Sequence, residues 1–272
     1  MSVAVGEVKR GVAKNGLVYH ELGAGPPLLL THGGSGSWLH WKRNLPTLAN
    51  DHRVIAFDLP GYGESPDIAA DTGLDAYVAR VTAAAEELLR GKAADICGFS
   101  FGGLIAAALA ASLGKRCQRL AMIAPSGFEA PVGRILGRKP RREFPPGPEG
   151  HRAFLRQNLL SLMLADPSSV DEDAIDMHDA NLKNARFDNR EISWSDKLLP
   201  YLSRLTCPLL LIYGDLDKTP YPSRDARVAR MRVVKPKLRL AVIPGAGHWA
   251  QYERPAALET LLLTFFSEPL LS

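Results

Sequence analysis

The stretch that most constrains this chain is Asp95-Ile96-Cys97-Gly98-Phe99-Ser100-Phe101-Gly102-Gly103-Leu104-Ile105-Ala106-Ala107-Ala108. A short apolar run meets a serine flanked two residues away on each side by glycine. A run of strong helix formers follows at once. This pattern predicts a strand, a very sharp turn and a helix, with Ser100 at the apex. Neighbouring backbone must pass close to such a turn, so side chains at 98 and 102 would collide, and both positions are glycine. The helix that begins there has unpaired N–H groups and a positive dipole end, which stabilise negative charge beside the serine.

The chain around this turn alternates. Loose alternation over 3–10, an Asn15-Gly16 turn and the segment 17–22 predict a hairpin. Apolar runs at 27–32 and 53–58, then at 120–124, 208–213 and 238–243, predict further strands, the continuous ones buried on both faces. Helices are expected over 38–49, 74–90, the elbow helix to Leu113, 223–231 and 255–266. Strands alternating with helices argue for a mostly parallel sheet with helices on both faces. The rhythm breaks at 126–196, which opens with a Gly/Pro/Arg-rich stretch at 133–148 and carries helical patterns at 150–164 and 171–185. It reads as an inserted helical lid, dividing the core into 1–125 and 197–272.

The 272 residues suffice for one large α/β domain, and a net charge of +4 does not imply a nucleic-acid partner. No apolar run is long enough to span a bilayer, and no secretory signal is visible at 1–10, so neither a membrane partner nor export is expected. Cys97, Cys117 and Cys207 are odd in number and lie in or beside apolar runs, and they read as reduced core residues in a cytoplasmic protein. No cofactor or metal is expected, because neither the cysteines nor His20, His40, His52, His151 and His178 have ligand spacing.

Serine is a poor nucleophile unless a base takes its proton and an acid orients that base. His248 lies on a loop after a late strand, in Gly245-Ala246-Gly247-His248-Trp249, and Asp215 and Asp217 lie just after the strand before it. The chain order Ser, Asp, His is that of a nucleophile elbow on such a sheet. Oxyanion donors are expected from the backbone of Phe101 and, in His32-Gly33-Gly34, of Gly34. His32 reads as a hydrogen-bonder for its own loop, and Asp58, Gly61 and Gly63 as shapers of a turn. Phe99, Phe101 and Trp249 read as core or as pocket wall, and their adjacency to catalytic residues favours the wall, with Phe99 and Trp249 expected to bind substrate. The basic run Arg134, Arg138, Lys139, Arg141 and Arg142 reads as a solvated segment or as steering for an acidic substrate.

Together, His32-Gly33-Gly34, Asp58-Leu59-Pro60-Gly61-Tyr62-Gly63-Glu64-Ser65, the elbow and Gly247-His248 resemble the α/β-hydrolase fold serine hydrolases over nearly the whole chain. The resemblance implies an eight-stranded, mostly parallel sheet with helices on both faces and an inserted helical lid. It favours Asp217 as the acid, through the spacing Gly214-x-x-Asp217, although some relatives place the acid after the sixth strand, where Glu129 stands. Gly247-His248-Trp249-Ala250-Gln251-Tyr252-Glu253 is similar to the C-terminal signature of the meta-cleavage-product hydrolases, which cleave a carbon–carbon bond in vinylogous diketo acids from aromatic catabolism. The chain departs from that pattern at Phe99, where those enzymes usually carry asparagine. They also use a lid arginine for the substrate carboxylate, and Arg186 and Arg190 are the counterparts this resemblance implies. The expected activity is therefore a cofactor-independent serine hydrolase acting on a small-molecule ester or activated ketone, with C–C bond hydrolysis as the alternative. A hydrolase-fold ligand receptor with slow or no turnover is a reading of another class. The oligomeric state stays open, a homodimer among the options.

Overall fold

A computed structural model of the protein describes residues 7–129 and 137–270. Eight strands form one sheet: β1 (Lys9–Val12), β2 (Val18–Leu22), β3 (Pro27–Thr31), β4 (Arg53–Phe57), β5 (Ala94–Phe99), β6 (Cys117–Ile123), β7 (Leu209–Gly214) and β8 (Arg239–Ile243). Their order is β1-β2-β4-β3-β5-β6-β7-β8. β1 and β2 are antiparallel to each other, β2 is antiparallel to β4, and the remaining neighbours run parallel. The continuous apolar runs occupy the centre, where β3 and β5 are buried throughout, while β1 and β8 at the edges are mostly open.

The helices are α1 (Leu45–Leu48), α2 (Leu74–Leu89), α3 (Phe101–Leu113), α4 (Gly147–Asn158), α5 (Glu172–Lys183), α6 (Arg190–Ser193), α7 (Leu198–Ser203), α8 (Arg224–Val234), α9 (Ala250–Glu253) and α10 (Pro255–Ser267). α2 buries Leu74, Tyr77, Val78, Val81, Ala84, Ala85, Leu88 and Leu89, the spacing of one helical face. α3 is buried almost all round, which its alanines and glycines allow because small side chains let sheet and neighbouring helices approach closely. The continuous helix expected over 38–49 does not form. A 3-10 turn at Trp38–Trp41 is followed by the separate short α1, which starts around Pro46, a residue without an N–H to donate to a preceding turn.

Between β6 and β7 the described residues form helices α4 to α7 and no strand, and α4 runs on into a wider π-helical turn at Leu159–Met163. Arg134, in the basic run, lies outside the described residues. Arg141 turns its guanidinium onto the carbonyls of Phe144 and Pro145 and so closes its own turn. No helix among the described residues is long and apolar enough to cross a membrane. All three cysteines are buried and free. The parallel register places the carboxyl ends of β3, β5, β6, β7 and β8 at one edge of the sheet, where the loops bearing residues 32–36, 100–103, 124–127, 215–219 and 244–249 gather. Open α/β sheets bind ligands at this edge.

Candidate active site

Ser100 sits between β5 and α3 with φ 53° and ψ −115°, a conformation that L-residues with a side chain rarely adopt. The surrounding backbone holds it there. Ser100 N–H donates to Ile123 O at 2.8 Å, and Ser100 O accepts from Gly103 N at 2.9 Å and Ser126 N at 2.9 Å. The glycine requirement is steric. A Cβ at position 98 would lie 2.3 Å from Gly102 O, and one at position 102 would lie 2.4 Å from both Thr31 O and His32 O.

His248 Nε2 lies 3.0 Å from Ser100 Oγ, and His248 Nδ1 lies 3.0 Å from Asp217 Oδ2. The chain thus brings Ser100, His248 and Asp217 together as expected, and leaves Asp215 on the exposed side of its turn, accepting from Ala246 N at 3.2 Å. Glu129 is exposed. A neutral His248 whose Nε2 faces the serine hydroxyl carries its hydrogen on Nδ1, where the carboxylate accepts it. Burial pushes the Asp217 carboxyl up, but the neighbouring His248 and the hydrogen bonds from His248 and Thr219 outweigh it and hold the group below its ordinary value. Thr219 was not anticipated. Its N–H donates to Asp217 Oδ1 at 2.7 Å, and its hydroxyl lies 2.9 Å from His248 Nδ1, a second polar contact for the ring.

The glycine loop after β3 packs directly on the elbow, since a Cβ on Gly33 would lie 3.3 Å from Ser100 Cβ. His32 is a loop-builder: Leu59 N donates to its Nε2 at 2.9 Å, and its Nδ1 lies 2.7 Å from Gly33 O. Burial pulls it down to about 4, against a smaller opposing effect of its hydrogen bond to Gly33. His40 does a related task that its spacing did not reveal. Gly33 N donates to His40 Nδ1 at 3.2 Å, and burial holds this imidazole well below its ordinary value. Asp58 accepts from Trp38 N and Glu64 N and so shapes its turn.

A cavity of about 720 Å³ opens above Ser100 and His248. Gly34, Phe99 and Phe101 line it, as expected. Trp249 does not serve as the expected pocket wall. Its indole N–H donates to His40 O at 3.1 Å and its ring stacks on Tyr252, so it packs into the core while its neighbour His248 faces the serine. Arg186 and Arg190 both border the cavity, but neither guanidinium is free. Arg186 bonds the carboxylate of Asp67 and the carbonyls of Gly63, Ser65 and Asn184, and Arg190 is paired with Asp188. Glu253, quoted in the histidine motif without a role, accepts from Gly247 N at 2.5 Å and from Ala165 N and Asp166 N at 2.8 Å each. It ties the histidine loop to the segment after α4.

The model for the alpha/beta hydrolase family matches residues 28–261. The chain belongs to the alpha/beta hydrolase family. Among its relatives, this alpha/beta hydrolase is 28% identical over 264 residues to the 2-hydroxymuconate semialdehyde hydrolase of Pseudomonas sp. (strain CF600), covering 92% of this chain and 89% of that one. It is 30% identical over 267 residues to the dihydrolipoyllysine-residue acetyltransferase component of the acetoin cleaving system of Pseudomonas putida, and there its matched 92% spans 66% of the longer protein. Among solved structures, the esterase RhEst1 from Rhodococcus sp. ECU1013 superposes with a TM-score of 0.74 at 21% identity, covering 96% of this chain and 98% of that one, a likeness of fold. The protein is a hydrolase.

Proposed function

We propose that this hydrolase works without a cofactor, through Ser100, His248 and Asp217 and a covalent acyl-enzyme, on a small or medium carboxylic ester or activated ketone. The observation that carries this reading is the unbroken Ser100–His248–Asp217 relay, each link 3.0 Å, opening onto the cavity. Ser100 Oγ attacks the carbonyl as its proton passes to His248 Nε2, and Asp217 stabilises the imidazolium that forms. The carbonyl oxygen, now negative, is held by the N–H of Phe101 at the start of α3 and by that of Gly34. Such donors contribute about 3–4 kcal/mol each to the transition state. His248 then returns the proton to the leaving group, and water, activated by the same ring, releases the acid. The described residues of 126–196, with helices α4 to α6, are the lid in this reading, and Phe99, whose ring centroid is 4.9 Å from that of His248, gives the site an apolar wall.

The relative from Pseudomonas sp. (strain CF600) and the stretch from Gly247 to Glu253 support a second reading, C–C bond hydrolysis of a vinylogous diketo acid. The two are separated by steady-state turnover of 4-nitrophenyl esters of several chain lengths beside a diketo-acid substrate, with Ser100→Ala as control. A burst of 4-nitrophenol stoichiometric with enzyme, lost in Ser100→Ala, is the expected result. Activity that survives Ser100→Ala in a folded protein overturns the acyl-enzyme.

A further inference from the structure

Four arginines, Arg138, Arg186, Arg190 and Arg227, border the cavity, against one acid, Asp188. Arg186 and Arg190 already have carboxylate partners in Asp67 and Asp188. Arg227, on α8, differs from both. It is only 8% exposed, and among the described residues it enters no ion pair. Its hydrogen bonds are long ones to neutral carbonyls, Nε to Tyr221 O at 3.3 Å and Nη1 to Pro125 O at 3.4 Å, and its flat face lies 4.6 Å over the Phe128 ring. The nearby Asp217 carboxylate is committed to His248 and Thr219.

A further donor stands beside it. Ser126, whose neighbour Pro125 takes the Arg227 bond, lines the cavity, and its buried hydroxyl has no partner among the described residues. A guanidinium stays protonated in proteins, and the one carboxylate in its electrostatic reach, Asp217, spends its hydrogen bonds on other groups, so this wall holds a buried cation with no ion-pair partner among the described residues. A stapling role for two carbonyls needs donors but no charge, and leaves the Ser126 hydroxyl unexplained.

We propose that Arg227 and Ser126 form an anion subsite, so that the part of the substrate reaching this corner of the cavity carries a carboxylate. A carboxylate matches the fork of the guanidinium, accepts the serine hydroxyl as well, and supplies the direct ion-pair partner that Arg227 lacks. The subsite is separate from the chemistry at Ser100, but assigning its occupant to the substrate rests on the hydrolase reading above.

The test has a turnover arm and a binding arm. In the first, mono-4-nitrophenyl adipate is compared with 4-nitrophenyl hexanoate, which has the same chain length and no charge. The wild-type enzyme is expected to favour the anionic ester, and Arg227→Met to lower the anionic-to-neutral ratio of kcat/KM at least tenfold, with Arg227→Lys in between. Equal losses on both esters, or an unchanged ratio, would leave Arg227 a staple and overturn the subsite. The binding arm titrates adipate into Ser100→Ala protein by calorimetry, and adding Arg227→Met should weaken binding at least tenfold. Arg227→Gln, which keeps donors for the two carbonyls, repeats both arms should the methionine variant fail to fold. If adipate binding depends on Arg227 but neither ester turns over, the hydrolase reading fails and the subsite stands. Adipate binding that ignores Arg227 removes the subsite whatever the turnover.

Discussion

Replacing Asp217 by asparagine tests the centre of the site. Its carboxylate is 1% exposed and 3.0 Å from His248 Nδ1, so the imidazolium that the proposed mechanism forms when Ser100 loses its proton is held by a desolvated charge. For charge centres about 4 Å apart at an effective dielectric constant of about 20, that attraction is about 4 kcal/mol. At about 1.4 kcal/mol per tenfold in rate, neutralising the acid lowers kcat about a thousandfold. An amide also offers an N–H toward Nδ1 and favours the tautomer that cannot accept the serine proton. Thr219 limits that part of the loss, because its hydroxyl, 2.9 Å from Nδ1, remains as an acceptor for the productive tautomer. The double variant Asp217→Asn/Thr219→Val should therefore lose at least a further tenfold. Asp215→Asn should stay within tenfold in kcat and cost about 1 kcal/mol of stability, since it removes part of one exposed turn bond. The assay is kcat on one good ester for all three variants, with circular dichroism to establish folding. Near wild-type kcat for a folded Asp217→Asn refutes the electrostatic argument. Inactivity confined to Asp215→Asn moves the acid by two residues, and activity in both moves it to Glu129.

Ser100→Ala should keep the fold, read by circular dichroism and Tm, and lose all but the residual rate supplied by the oxyanion donors and binding. Gly98→Ala should cost about 2–3 kcal/mol in chemical denaturation, because the new Cβ meets Gly102 O at 2.3 Å, and a neutral effect would show that the elbow can shift. Unfolded histidine takes up a proton below its ordinary 6.5, whereas native His32 refuses one until about 4, so this group's stabilising contribution is lost as pH falls across that window, by about 3 kcal/mol in full. Asp58 and Asp95, pushed up to about 6 by burial, act in the opposite sense, so the readout is the pH slope of wild type against His32→Asn, which should be shallower in the variant. Glu253→Gln should lower kcat by about tenfold and change KM less, because one backbone donor of the three it serves is left facing an amide N–H. An unchanged kcat would show that the histidine loop needs no such tie.

The elbow was legible because its constraint is local: glycine at 98 and 102 answers to backbone atoms that any strand–turn–helix of this kind brings close. The placing of His248 and Asp217 beside Ser100 was legible through chain order, and the sheet through its continuous apolar runs. The failures share a different cause. Trp249 adjoins His248, but adjacency does not fix direction, and the turn into α9 sends one ring to the serine and the other to the core. The resemblance implied Arg186 as a holder of the substrate carboxylate, yet its guanidinium is engaged by Asp67, 119 residues away. Glu253 meets Ala165 across 88 residues, and Arg227 meets Pro125 across 102. Contacts of that range leave no periodicity or spacing to read.

His40 shows why such unsignalled residues matter to the chemistry. The proposed catalytic cycle requires a positive His248, and a second cation nearby would oppose its formation. His40 is within electrostatic reach of His248 and also of His32. Burial keeps both His32 and His40 neutral, and each ring nitrogen that accepts a backbone N–H, from Leu59 and from Gly33, adds a bond that protonation would break. The same bond bears on which donor the glycine loop can offer. Gly33 N–H is spent on His40, which supports Gly34, bordering the cavity, as the donor this loop offers in the proposed mechanism. Neutrality and donor assignment are thus one arrangement: the imidazole that orients the loop stays uncharged by accepting from it, and Asp217 is left as the counter-charge His248 meets.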